Sequence, residues 1–508
     1  MNVHPNEDPG KTESQETAKE AEQKPARKRL YWVDWCRSQS VYNVVCGHIW
    51  WDVRDEFSLT YDNVYASDWS ESTRIMEYSV DEGTFHTIPM FFLVSGYLTH
   101  VTLKIDSIGV KKFLRNRVLR IIPPFIFGAI VQVIVQCVGR GKSFSIGLVL
   151  FSHLWFLWAL ALIQLATLPF CVMARSLTDD AKLLYSQALM VDATHRKGPL
   201  WSEEKKKMFW MMLGINVVFN VVFAVVMELM FGLLDKGRGA WLFGLPFASN
   251  VPILLFVLAN IVLKATKNVL FADILFMAGG ALCPLSTFLF FGVNSVCSVE
   301  ECGRFSFLSQ NLNYSLNIIV ICSLSGFVFG ELQPMFQRIL AATKLHELLG
   351  ILGLLFSCFW PYFTYWAPQY IRTTGFLMTY QEFPKIALAG PYNSTHPDPA
   401  MTAGLAPSWA IARMWFWSLL ICLFAKAYAN YAFHKKFHVH ITQSGMILYI
   451  FHRFYDVSLA EAMISGGMTD PATVTYALIA ATFALCFLTY AVVMTNKFTR
   501  AMFGIVNV

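Results

Sequence analysis

Apolar residues in this chain gather into long blocks separated by short polar runs. The blocks are about 17–28 residues long, enough for a helix rising ~1.5 Å per residue to cross a ~30 Å hydrocarbon core. Twelve are predicted to span, near residues 32–51, 83–104, 117–138, 148–173, 207–234, 248–265, 269–293, 312–332, 346–366, 408–428, 441–460 and 472–494. The fold class expected is all-α, a polytopic transmembrane helix bundle of about 10–12 spans. Basic residues test the count, because Lys and Arg should mark every second connection on the cytoplasmic side. They do: KPARKR, KKFLRNR, EEKKK, KATK and Lys435–Lys436 precede the first, third, fifth, seventh and eleventh blocks. The opposite connections differ. Residues 52–82 hold nine acidic and two basic side chains, and 367–407 contains the glycosylation sequon NST at Asn393. Both termini are therefore expected in the cytoplasm, in a multi-pass protein of the plasma membrane or an endomembrane.

Composition agrees with the pattern. Of 508 residues, 55% are hydrophobic and only 15% charged, too few charges for an ordinary soluble surface. The net charge of +6 is spread among the loops, which fits membrane topology rather than a nucleic-acid partner. Residues 1–29 are polar and mixed in charge, and are read as a disordered cytoplasmic tail that lacks the features of a targeting peptide. Residues 30–508 form one membrane domain with no internal repeat. The 176–206 segment is read as a cytoplasmic loop holding a short amphipathic helix around AKLLYSQALM. In the short outer loop CSVEEC, an oxidising compartment would close Cys297 and Cys302 into a disulfide. The second sequon, at Asn313, lies at the membrane edge, where glycosylation is not expected.

The first block carries unusual passengers. Arg37 and His48 are eleven residues apart, three helical turns plus about 20°, which places them on one face ~16 Å apart along the axis. Asp34 shares that face. Charges inside a span are costly, ~2.5–3.5 kcal/mol on translocon scales, and such residues turn toward a bundle interior or a wet cavity. The helix is expected to line a site. The plainer alternatives are that Asp34 and Arg37 snorkel to the interface and that His48 is a hydrogen-bonded core histidine. Similar polar islands recur. Ser95-Gly96-Tyr97 interrupts FHTIPMFFLVSGYLTH, as a helix contact or as site lining. Arg117 and Arg120 share one face at the mouth of the third block, ahead of Pro123-Pro124. They suit either a phosphate grip or a positive-inside anchor. His153 and Trp155 lie in SHLWFLWAL, and Ser444, Tyr449 and His452 in TQSGMILYIFHRF.

The ordered set Arg37-x10-His48, FFLVSGY, RVLRIIPPF, HLWFL and ILYIFH resembles the membrane-bound acyltransferase-3 family, from about Leu30 to His452. The resemblance implies an enzyme, an O-acyltransferase that moves an acyl group, usually acetyl, from cytoplasmic acyl-CoA to a hydroxyl, often on a carbohydrate or cell-surface glycan. It implies that Arg37 and His48 are the essential catalytic pair and that Arg117 and Arg120 are required, here read as donor-binding. Asp34, Ser95, Tyr97, His153, Trp155, Tyr449 and His452 are candidate site lining. The expected mechanism has His48 as general base on the acceptor hydroxyl, with Arg37 stabilising charge on the donor or orienting the site. Tyr97, Tyr449 or a backbone amide near Gly96 would serve as oxyanion donors. A relay through an acyl-histidine is the other route. No metal-ligand spacing or nucleotide fingerprint appears, so the expected partners are the bilayer, acyl-CoA as donor substrate and an unidentified hydroxyl acceptor. Members of the family usually have about ten core spans, and many carry a large extracytoplasmic domain that is not recognisable here. Two rival readings are a polytopic transporter, which often shows two similar halves, and an accessory subunit of a membrane complex that keeps the fold.

Overall fold

The computed structural model describes residues 30–60, 70–73, 75–76, 80, 87–139, 143–144, 154–189, 203–231, 238–267, 269–294, 322–333, 418, 421–422, 425–426, 435–503 and 505. Among these residues the architecture is helical and contains no strand. The helices are α1 (Tyr31–Thr60), α2 (Thr87–Thr102), α3 (Ser107–Ile134), α4 (Trp155–Leu189), α5 (Glu203–Phe231), α6 (Arg238–Thr266) and α7 (Val269–Asn294). They continue with α8 (residues 322–333), α9 (Lys435–Ser465), α10 (Pro471–Val493) and α11 (Lys497–Met502). Three stretches are long and apolar enough to cross a membrane: Ile108–Cys137, Leu157–Lys182 and Pro471–Val493. The charged residues inside α1 and α9 lower their hydropathy, although these are 30 and 31 residues long. The chain is an integral membrane protein built as an all-α bundle.

Local signals set the helix ends. Asp106 caps α3 by accepting from the Gly109 amide, and Asp470 caps α10 ahead of Pro471, each satisfying amides that have no partner within the helix. Lys267 adopts φ 53° between α6 and α7, ending one helix in the left-handed region and turning the chain back. Phe256 and Phe276 then pack with ring centroids 5.1 Å apart. On α3, Ile122, Ile126, Ile130 and Ile134 form an exposed stripe at four-residue spacing, the lipid-facing counterpart of a soluble amphipathic pattern. By contrast, 72% of the apolar window of α4 is buried, against 28% for α3 and α10. Helix α4 is therefore interior.

Contacts along the helices give their directions. Ser38 pairs with Thr442, Tyr42 with Ser444, His48 with His452 and Asp52 with Arg453, so α1 and α9 run parallel. Opposite His48 are Thr87 and Ile88 of α2, while Leu98 of α2 lies at the level of Arg37, so α2 runs antiparallel to α1. Parallel first and eleventh spans require an odd number of crossings between them, as the twelve-block reading has.

Two expectations change. The fourth span does not stop near residue 173 before a separate amphipathic helix; α4 continues unbroken to Leu189. Its polar end is held because Thr178 donates to Glu331 Oε2 at 2.7 Å and Lys182 Nζ lies 3.5 Å from the same oxygen. The supposed loop at 52–82 likewise begins as helix, since α1 reaches Thr60. The tail, the Cys297–Cys302 loop, Asn313, Asn393 and the blocks at 346–366 and most of 408–428 lie outside the described residues.

Candidate active site

A cavity of about 710 Å³ opens among α1, α2, α3, α4 and α9, inside the ~300–1,000 Å³ range of small-molecule sites. Five cationic side chains line it, Arg37, Lys104, Lys112, Arg117 and Arg120, against one acid, Asp106. Asp106 is already engaged in capping α3. Arg117 lies over the Phe113 ring at 5.0 Å and close enough to Arg37 and Arg120 to feel their charge. Like charges gathered in this way repel one another unless an anion joins them. Arginine, with its planar fork of donors, is suited to phosphate oxygens.

Deeper in the bundle lies a second chamber, about 40 Å³, lined by Ser40, Val41, Val44, His48, Thr87, Ile88, Phe91 and Tyr449. Val41, Phe91 and Tyr449 belong to both walls. These three side chains stand between the cationic cavity and the histidine chamber. By the measure in which one water needs ~10–15 Å³, the chamber holds a group of about three heavy atoms.

His48 Nδ1 lies 2.9 Å from His452 Nε2, with the two ring planes within 19° of each other and their centroids 5.1 Å apart. His452 is fully buried, and its Nδ1 is 3.1 Å from the Leu448 carbonyl. Further along, Arg453 bonds Asp52, and Asp456 is fully buried beside that pair. Polar contacts thus tie α1 to α9 on both sides of the histidines.

Of the residues singled out in the sequence, Arg37, Ser95, Arg117, Arg120 and Tyr449 line the larger cavity, and His48 and Tyr449 the smaller. Ser95 also accepts a hydrogen bond from Gln164 at 2.8 Å. Tyr97 does not reach either chamber. It packs edge-on against Trp32 at 4.8 Å and donates to Gln333 Oε1 at 3.2 Å. Its neighbour Gly96 explains this: a Cβ there would stand 1.9 Å from the Ser323 carbonyl oxygen, so α2 turns its glycine onto α8 and leaves Tyr97 about 160° around the helix from Ser95. Asp34 lies outside both linings; its carbonyl accepts from Ser38. His153 and the side chain of Trp155 fall outside the described residues.

Lys112, which sequence reading took only as a topology charge, and Lys104, which it did not single out, belong to the cationic wall. A separate buried cluster also escaped notice. Glu331 accepts from His100 at 2.7 Å and Thr178, with Arg175 Nη1 at 3.8 Å and Lys182 at 3.5 Å. It braces α2, α4 and α8 against one another.

With this geometry in hand, comparison with known proteins adds one finding. A family model described as an acyltransferase domain matches residues 30–491. No curated protein and no solved structure matches the chain.

Proposed function

The chain belongs to the acyltransferase-3 family, and from that premise we propose that it transfers an acetyl group from acyl-CoA to a hydroxyl acceptor, a carbohydrate or another surface or lumenal molecule. The observation that carries this reading is the adjacency of the two chambers, which share Val41, Phe91 and Tyr449. A cationic cavity suited to the phosphates of the donor adjoins, across Val41, Phe91 and Tyr449, a chamber of about 40 Å³ at His48. On this reading a pantetheine arm passes between those side chains and presents an acetyl group, whose few heavy atoms match the volume of the chamber. Cytoplasmic entry of the donor belongs to the same reading and rests on the loop charges.

In the reaction, His48 removes the acceptor's hydroxyl proton as the oxygen attacks the thioester carbonyl. The tetrahedral adduct collapses with cleavage of its C–S bond, and the sulfur leaves with the proton that His48 took, so no net proton is gained or lost. Tyr449, which faces both chambers, is the side chain placed to donate to the developing oxyanion. Arg37 lies with Arg117 and Arg120 on the cavity wall, a position for gripping the donor rather than the reacting carbon.

The test is mass spectrometry of surface glycans and lipids from cells with the protein, without it, and with His48→Ala. It is joined by donor competition among acetyl-, butyryl- and palmitoyl-CoA on the purified protein. Acetylated products that vanish in the variant, with acetyl-CoA preferred, support the reading. Products independent of His48, or a preference for the long chain, sink it.

A further inference from the structure

We infer that His452 is a positioning residue that fixes the tautomer of His48 and so aims the basic nitrogen of His48 away from α9; this rests on His48 being the base proposed above. The argument starts from a carbonyl, which can only accept. His452 Nδ1 lies 3.1 Å from the Leu448 carbonyl, so that nitrogen carries the hydrogen and, in the neutral ring, Nε2 carries the lone pair. His48 Nδ1, 2.9 Å from that Nε2, must then donate. Its own lone pair is left on Nε2, at the far side of the imidazole. A chain of two hydrogen bonds thus carries the orientation of one backbone carbonyl to a side chain on another helix.

Geometry keeps the pair in register. The ring planes lie within 19° of each other with centroids 5.1 Å apart, the edge-to-edge arrangement that an in-plane N–H···N bond requires, and His452 is fully buried. The flanking contacts Tyr42–Ser444 at 3.3 Å and Asp52–Arg453 hold α1 beside α9 on either side. The physical role matches that of any group that orients a histidine base through its second nitrogen. Here the orienting group is a second imidazole, whose own tautomer is set by its helix.

The test compares the full-length protein in detergent with His452→Phe, which keeps ring volume and removes the acceptor, and with His452→Gln, which returns an acceptor oxygen near the position of Nε2. His48→Ala is the reference. Three readouts are taken: acetyl-CoA binding by calorimetry, release of thiol from acetyl-CoA with water as acceptor, and the rate at which diethylpyrocarbonate modifies His48, read by peptide mass spectrometry. His452→Phe should leave acetyl-CoA affinity within about threefold while lowering turnover ~10²-fold, the low end of what a positioned general base contributes. It should also slow modification of His48. His452→Gln should recover most of both. Turnover and modification rates unchanged in His452→Phe, or Gln no better than Phe, would overturn the inference. Wild-type turnover in His48→Ala would instead overturn the base assignment. The modification rate reads the tautomer even where hydrolysis by water is too slow to follow.

Discussion

Replacing Arg117 by alanine separates donor binding from structure. Its guanidinium lies over Phe113 at 5.0 Å and near Arg37 and Arg120 in a wall holding five cations and one acid. Without a bound anion it is repelled by its neighbours, so its removal relieves that repulsion and costs chiefly the contact with Phe113, ~0.5–2 kcal/mol. With a phosphate present the balance reverses. A hydrogen bond to a charged group contributes ~1.5–3 kcal/mol, equivalent to about 10–150-fold in affinity. Calorimetry should therefore show acetyl-CoA binding to Arg117→Ala weakened by that factor, while acetyl-pantetheine without phosphates binds both proteins alike. The melting temperature of the ligand-free variant should stay close to that of the unmodified protein. Equal loss for both thioesters, or a marked fall in melting temperature, would show Arg117 to be structural and refute the phosphate argument.

Three further outcomes follow from particular contacts. In Gly96→Ala the new Cβ would stand 1.9 Å from the Ser323 carbonyl oxygen, forcing α2 from α8 at a cost of ~1–3 kcal/mol; an unchanged thermal melt would contradict the packing. The Thr473 hydroxyl and amide, with the Thr73 hydroxyl, hold the Asp470 carboxyl below its ordinary pKa of 3.8. Ionised Asp470 thus adds stability that is fully present above about pH 4 and is lost as pH falls through the lowered value. Asp470→Asn keeps a good cap at every pH, so the melting-temperature advantage of the unmodified protein should be constant above about pH 4 and shrink on acidification; an advantage that grows with acid would refute the sign. Finally, cysteine placed at Ser465 should react with an impermeant reagent only from outside sealed cells and cysteine at Lys206 only from the cytoplasm; the reverse would overturn the parity drawn from the loop charges.

The site was legible where membrane energetics made residues conspicuous. Arg37 and His48 stand out because polar groups within an apolar block are costly, and the helical repeat alone puts them on one face. What sequence could not give was rotation and partnership. Tyr97 looked equivalent to Ser95, yet Gly96 must meet the backbone of α8, and that contact sends the tyrosine to Trp32 and Gln333. The Glu331 cluster joins residues 231 and 153 positions apart, His100 and Thr178, and no local pattern connects them. The end of α4 was misread for a related reason. Hydropathy reports exposure to lipid, and it falls after residue 173 because Thr178 and Lys182 turn toward Glu331, not because the helix ends.

The parallel run of α1 and α9 also orders the site by depth. Helix α3 runs the same way, for Arg117 and Arg120 lie at the level of Arg37, while Gly128 lies beside Ile450, near the level of His452. All three helices therefore pass the cationic cavity in their N-terminal halves and the histidine level further on. That arrangement makes depth a chemical coordinate. Early turns of α1 and α3 supply charge to the larger cavity, with α9 closing its wall; later turns supply the small chamber and the paired histidines. Because α1 contributes to both levels, a single rigid helix fixes the distance between anion grip and base, ~16 Å from Arg37 to His48. A donor shorter than this span could occupy the cationic cavity and still leave its reacting carbon short of His48. If the donor is gripped at the arginines and attacked at His48, as proposed, its carrier arm must span that distance, whatever the acceptor.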